Sequence, residues 1–215
     1  MTFPRFGMIV YLVWGTLLVA AVFSLFYARW SLAFVSLATL AASMLPALVA
    51  RWYHIHIPWA FFTGIVLFIF GSLFLGEAFD FYERYWWWDV VLHTASAIGF
   101  GLVGFVFVFY LFQGDRYAAP AWAMAFIAYC FAVTIGVLWE IFEFTMDQSF
   151  GLNMQKSGLM DTMWDLIVDN FGASIGAFAG FLYLKGQERG GLTSIIDEFV
   201  RRNRTFFKKL DRRRK

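Results

Sequence analysis

Long apolar stretches, separated by single charges or short polar loops, dominate the pattern of this chain. A helix needs about 20 apolar residues to cross a bilayer, because the hydrocarbon core is roughly 30 Å thick and a helix rises about 1.5 Å per residue. Five stretches reach this length between their bounding charges. They run from about Gly7 to Tyr27, from Ser31 to Ala50, from near Pro58 toward Glu77, between Asp89 and Gln113, and from Pro120 toward Glu140.

A sixth stretch predicts a helix that takes acidic residues into the membrane. Only 15 uncharged residues separate Asp169 from Lys185, which is too few to cross a bilayer. A spanning helix here must begin near Asp161, and Asp165 and Asp169 then lie inside the membrane boundary. The pattern therefore predicts an all-α fold, a polytopic membrane protein with six transmembrane helices.

The C-terminal segment has a different pattern, that of a basic amphipathic helix from about Thr193 to Lys215. A helix of this kind beside a membrane span usually lies on the anionic cytoplasmic leaflet, and docking on a partner protein is the alternative. We therefore expect two regions, a six-helix transmembrane domain over residues 1–185 and a basic cytoplasmic tail over residues 186–215. The apolar positions of the tail are Ile196, Phe199, Val200, Phe206, Phe207 and Leu210.

Composition narrows the class of protein further. Hydrophobic residues make up 61% of the 215 residues and charged residues only 15%, with a mean hydropathy of +0.66. Soluble domains carry about 25% charged residues, so the totals exclude a soluble globule, a disordered chain and a nucleic-acid binder. The lone Cys130 excludes an intrachain disulfide and a metal site made of cysteines alone.

Basic residues predict the orientation of the spans. Six spans place both termini on one side, and that side holds Arg5, Arg51, Arg116 and all eleven basic residues from Lys185 onward. The other side holds only Arg29, Arg84 and Lys156. Because cytoplasmic loops are enriched in Lys and Arg, both termini are predicted to be cytoplasmic.

Three predicted helices carry ionisable residues near their outer ends. Residues three or four apart share a helix face, so each group forms a stripe. On the sixth predicted helix, the stripe of acids is followed on the same face by Gly172 and Gly176, small residues that allow close helix packing. We therefore expect these acids to face the bundle interior. The groups are Asp89 with His93, Glu140 with Glu143, and Asp161 with Asp165 and Asp169.

Such a cluster has a restricted chemistry. Charged carboxylates inside a membrane are costly and usually mark a site or a pathway. One histidine among several carboxylates suits a divalent metal, namely Zn, Mn, Fe or Mg. The expected metal ligands are His93, Glu140, Glu143, Asp165 and Asp169, and the expected catalytic pair is His93 as general base with Asp89 orienting it.

Simpler roles compete with these predictions. Asp161 heads a helix and suits an N-cap, and Asp89 suits an interfacial cap. Glu140 and Glu143 could form a solvated helix end. His93 alone is more often a satisfied polar residue than a ligand.

The three polar stretches resemble those of a known family. Residues 88–93 (WDVVLH), 139–144 (WEIFEF) and 161–169 (DTMWDLIVD), followed by Gly172-Ala173, resemble the YjdF-like family of bacterial inner-membrane proteins and, more distantly, VanZ-like proteins. The resemblance implies a multi-span protein of the bacterial cytoplasmic membrane with this polar set at its centre. It does not supply a reaction.

Three functions are compatible with these features. The first is a metal-binding site that acts on an envelope or lipid-linked substrate. The second is an accessory or structural subunit of a larger membrane complex, with a membrane-protein partner or a second copy of the chain, in which the polar cluster is internal hydrogen-bonded glue. The third is a proton-coupled carrier, which the scarcity of polar groups in the first three spans disfavours.

Overall fold

The computed structural model describes residues 7–112, 119–187 and 190–207, and it is helical throughout this part of the chain. Within these ranges, eight α-helices and one π-helical segment follow one another. Their bounds are α1 Met8–Phe26, α2 Trp30–Trp52, α3 Trp59–Ile69 with its π-helical continuation Phe70–Glu77, α4 Phe81–Arg84, α5 Trp88–Phe112, α6 Ala121–Phe150, α7 Leu159–Leu184 and α8 Leu192–Arg202.

Six of these helical segments in the described chain are long and apolar enough to cross a membrane, and they confirm the predicted all-α, polytopic fold. They are α1, α2, α3 with its π-helical continuation, α5, α6 and α7. One bound differs clearly from the prediction, because α6 passes Glu140 and ends only at Phe150. Glu140 and Glu143 are therefore buried inside a helix, and the interpretation of a solvated helix end is wrong. Gln113 lies outside the described residues.

The helices form two compact units, Met1–Trp88 and Asp89–Lys215. In the first unit, the buried core includes Leu17 of α1 with Phe62 and Val66 of α3. Between α1 and α2, the Trp14 indole donates to the Ser43 hydroxyl at 3.0 Å, so a polar contact supports this otherwise apolar packing.

Close helix contacts build the second unit. A Cβ atom at Gly101 of α5 would lie 2.9 Å from the Cα of Gly176 in α7, and one at Gly104 would lie 3.0 Å from the carbonyl of Ala128 in α6. Small residues are required at such points because the backbones themselves are in contact. The glycines at these contacts therefore fix how α5, α6 and α7 pack.

The amphipathic tail packs within the second unit. Ile196 and Phe207 are buried, and the Phe207 ring lies 5.8 Å from Phe109 and 6.1 Å from Tyr110 of α5, measured between ring centroids. The described helix ends at Arg202, shorter than the predicted 193–215, and turns follow it as far as Phe207. Residues 208–215 lie outside the described residues. Contact of the tail with anionic lipid stays a prediction.

Candidate functional site

The predicted polar cluster forms within the second unit, where three helices contribute to it. Asp89 and His93 occupy the first turns of α5, and Asp165 and Asp169 occupy two successive turns of α7. Glu140 lies two thirds of the way along α6. The spacing of four residues places each pair on one face, and the glycine contacts bring the faces of α5 and α7 together.

His93 lies between two carboxylates, one on each ring nitrogen. Its Nδ1 is 3.3 Å from Asp169 Oδ1, at hydrogen-bonding distance, and its Nε2 is 3.7 Å from Asp89 Oδ1. In the tautomer that is protonated on Nδ1, His93 donates to Asp169 and presents the lone pair of Nε2 on the side of Asp89. In this geometry the carboxylate at hydrogen-bonding distance from the imidazole is that of Asp169, whereas the sequence had pointed to Asp89.

Asp89, His93 and Asp165 approach one another closely enough to share one cation. Each offers a ligand atom, and these atoms all lie within 4.8 Å of one another. Donors on opposite sides of a bound cation are separated by twice the bond length, which is about 4–5 Å for ordinary divalent metals. Asp165 is 3% exposed, whereas the Asp89 side chain is 29% exposed, so the group is buried on one side and accessible on the other.

Glu140 is the buried carboxylate that α6 contributes to the cluster. It is 4% exposed, and neither of its side-chain oxygens has a partner among the described residues. Thr162 is near enough to interact with it, yet the two form no hydrogen bond of normal geometry. Leaving such a group unpaired costs several kcal/mol. Neutralisation of its charge, by a proton or by a cation, would remove this cost.

Glu143 lies one helical turn beyond Glu140 and is also buried. It interacts electrostatically with Glu140, His93 and Asp89. All six predicted site residues are thus concentrated in one region of the second unit. Among them, Asp89, His93, Asp165 and Asp169 are in direct proximity, and the two glutamates lie beside them.

Gly136, Asn170 and Tyr129 also shape the site region, and the last two escaped the sequence analysis. A methyl group at Gly136 of α6 would overlap the Asp169 carboxylate, so this glycine gives Asp169 its space. Asn170, which follows Asp169 in α7, accepts a hydrogen bond from the Tyr129 hydroxyl of α6. The sequence places Asn170 next to Asp169, which could have drawn attention to it. It could not indicate Tyr129, the partner of Asn170, which is 41 residues away in the chain.

The connection between α6 and α7 is held by acids at both of its ends. Asp147 accepts from the backbone N–H groups of Met154 and Gln155 at 2.7 and 2.9 Å. Asp161 accepts from the N–H of Lys156 at 3.0 Å. The N-cap of α7 is Gly158, so the interpretation of Asp161 as N-cap is wrong, and the residue fixes the preceding loop instead.

This loop also contacts the site region. The Gln155 amide donates to the Thr162 hydroxyl at 2.6 Å, and Thr162 is the residue that lies near Glu140.

Fold and site together define a six-span membrane protein with an internal cluster of one histidine and several carboxylates. The chain belongs to the family described as "Predicted membrane protein (DUF2238)", whose match covers residues 9–186. It is also similar to a protein of Thermotoga maritima, described as an uncharacterized protein, with 34% identity over 98 residues. That match covers 46% of this chain and 50% of the relative, so the chain spans about half the length of the curated relative. No solved structure matches the chain.

Proposed function

We propose that the protein binds one divalent cation inside the membrane, at Asp89, His93 and Asp165. The observation that carries this proposal is the approach of their ligand atoms to within 4.8 Å of one another on two different helices. Carboxylate ligands would offset the charge of the cation, and paired charges are far less costly in a membrane than separate charges are.

The surroundings of His93 support a metal ligand. Histidines that bind metals through one ring nitrogen almost always donate the other N–H to a carboxylate or carbonyl, which fixes the tautomer and raises the basicity of the ligand. Asp169 at 3.3 Å from Nδ1 suits this role, and Nε2 is then the ligand atom. Asp169 would act on the metal through the imidazole, and not as a ligand itself.

Glu140 supports the same proposal from the third helix. Its two oxygens are buried and lack hydrogen-bond partners among the described residues, and its charge interacts with that of His93 and Asp169. We propose that it supplies a further oxygen to the cation. Because the donors are imidazole and carboxylate groups, the candidate metals are Zn, Mn, Fe and Mg.

We propose that the cation activates water for hydrolysis or transfer on an envelope or lipid-linked substrate. A bound metal lowers the pKa of its water ligand and so supplies hydroxide at neutral pH. The exposed edge of Asp89, in the first turn of α5, supports access from the membrane surface at which this helix begins. We propose that this surface belongs to the bacterial inner membrane, as the resemblance to YjdF-like proteins implies.

One competing interpretation has an observation of its own. If no cation is present, a protonated His93 would form ion pairs with Asp169 and Asp89 at 3.3 and 3.7 Å. The cluster would then be an internal network of ion pairs and hydrogen bonds that holds the helices together, as expected of an accessory subunit.

Metal content separates the two interpretations. The protein is purified in mild detergent without chelator and measured by elemental mass spectrometry, beside Asp165→Asn and His93→Asn. We expect about one equivalent of metal in the parent and less than a tenth of that in both variants, because each loses a ligand.

Two exposed positions of the first unit provide matched controls. Asp80→Asn and His54→Asn make the same chemical changes at backbone conformations that asparagine tolerates, with φ of 56° at each residue. Both controls should keep the metal. A parent without metal, even after incubation with each candidate cation, would refute the metal site and favour the purely structural interpretation of the cluster.

A further inference from the structure

A groove of about 420 Å³ lies between α6 and α7, at the end where α6 begins and α7 finishes. This volume falls within the usual range for small-molecule sites, about 300–1,000 Å³. Its walls are largely aromatic and otherwise built of small residues. The lining includes Trp122, Phe126 and Tyr129 from α6, and Ser174, Phe178 and Phe181 from α7.

The groove is separate from the polar cluster. The Tyr129 hydroxyl donates to the Asn170 side chain, which joins α6 to α7 at the inner end of the groove. One to two turns farther along, Gly136 packs directly against Asp169. The seam between the two helices is therefore closed between the groove and the cluster.

The position of the groove decides what can fill it. Every lining residue belongs to a helix that is long and apolar enough to span the membrane. Phe126 and Phe178 are each more than half exposed, so their rings face the lipid. A groove that opens sideways into the hydrocarbon layer is filled by hydrocarbon chains.

One end of the groove carries a positive charge. Lys185 follows the last residue of α7, and its Nζ lies 5.7 Å from the centroid of the Phe181 ring, which lines the groove. Lys185 is exposed, and among the described residues its ammonium group lies over this ring. Trp122, in the first turn of α6, is at the same end, and tryptophan typically lies at the level of lipid headgroups.

We infer that this groove binds an anionic phospholipid, with one acyl chain against the aromatic walls and the phosphate beside Lys185. Charge complementarity selects this lipid over a zwitterionic one, because basic residues at the membrane surface attract anionic headgroups by about 1 kcal/mol each. The site is independent of the proposed cation and uses none of its ligands.

Lipid retention tests the inference. The protein is reconstituted in vesicles with equal amounts of phosphatidylglycerol and phosphatidylcholine, extracted in mild detergent, and examined by native mass spectrometry. We expect one retained phospholipid per chain, with phosphatidylglycerol favoured about fivefold, the factor that corresponds to ~1 kcal/mol.

Two variants separate the headgroup from the chain. Lys185→Gln should lower the preference from about fivefold to near one, with the total lipid unchanged. Ser174→Phe places a ring in the groove and should remove the lipid. Thr134→Phe is its matched control, because Thr134 is also exposed and its hydroxyl also bonds to the carbonyl four residues earlier. For charge, Arg29→Gln is the control.

Three results would overturn the inference. They are equal retention of the two lipids by the parent, an unchanged preference in Lys185→Gln, and a loss of dimers in Ser174→Phe without a loss of lipid. The last would show that a second copy of the chain occupies the groove. Metal content is measured in the same samples, and it should be the same in all four variants.

Discussion

At the scale of single residues, chemically identical carboxylates occupy different positions around His93. Asp169 meets Nδ1 of the imidazole, whereas Asp165 shares the cation-sized space with His93 and Asp89. The proposed metal site therefore assigns one aspartate to the ring and the other to the ion. This division can be measured, because losing a metal ligand weakens metal binding more than losing the residue that supports a ligand.

We predict that Asp169→Asn weakens metal binding by about 10–100-fold and leaves a titratable site, the usual effect of losing such a support. Asparagine keeps an acceptor oxygen for the Nδ1 proton but removes the charge that makes the imidazole a stronger ligand. Asp165→Asn should instead abolish stoichiometric binding. Dissociation constants from competition with a coloured chelator give both values. Equal losses in the two variants would contradict the assignment.

The sequence predicted the members of the cluster better than their pairings. Spacing of three or four residues decides which side chains share a helix face, and this placed the site residues correctly in one region. Which face meets which is decided by helix packing, and His93 and Asp169 are 76 positions apart. For that reason the sequence assigned the orienting role to Asp89, the nearest acid on the same helix.

At the scale of helices, backbone contacts position the site. Gly101 meets Gly176, and Gly172 lies against Ala97, where an added Cβ would be 2.9 Å from the alanine side chain. These contacts lie about one to two turns beyond His93 along α5 and beyond Asp169 along α7. A shift of either helix would move Asp169 away from the imidazole.

We predict that Gly176→Ala lowers the free energy of unfolding by about 1–3 kcal/mol, the usual cost of overpacking. Its Cβ would lie 2.9 Å from the Gly101 Cα, and backbone atoms cannot move aside as a flexible side chain can. Gly15→Ala is the control, since nothing lies within 4 Å of its added methyl. That change should be neutral or stabilising by up to about 1 kcal/mol. Reversible unfolding in mixed micelles measures both, and equal effects would contradict the packing argument.

The sequence predicted the end of a helix correctly where a charged residue lies in contact with water at that end. The ends of α1 and α2 lie within about two residues of the predicted limits, because Arg29 and Arg51 lie at those ends. The same rule failed for α6, since Glu140 is buried in the cluster and does not end the helix. The tail helix also ends earlier than predicted, at Arg202. Directly after this end, the side-chain amide of buried Asn203 donates to the Phe199 carbonyl.

At the scale of the whole molecule, the polar cluster and the groove both belong to the second compact unit, Asp89–Lys215. The first unit, as far as it is described, has an apolar core with a few buried hydroxyl groups. The number of candidate spans is even, and the distribution of Lys and Arg predicts cytoplasmic termini. The loop before α7, with its contact to Thr162, should then face the outside of the cell.

Cysteine labelling in intact cells tests this orientation. In a background with Cys130→Ala, we expect Ser157→Cys to react with a membrane-impermeant maleimide and Ser194→Cys to react only after the cells are opened. Both positions are exposed and lie outside the six candidate spans. The opposite pattern would reverse the orientation, and the proposed metal site would then be reached from the cytoplasm.

The single thiol of this protein has a practical consequence. Cys130 is exposed on α6, one residue beyond Tyr129 in the wall of the groove. A nitroxide attached there requires no engineered cysteine, and its motion would report on the neighbouring groove in the natural sequence. Spectra recorded with and without phosphatidylglycerol could then follow the arrival of a lipid in real time, on the chain as it occurs.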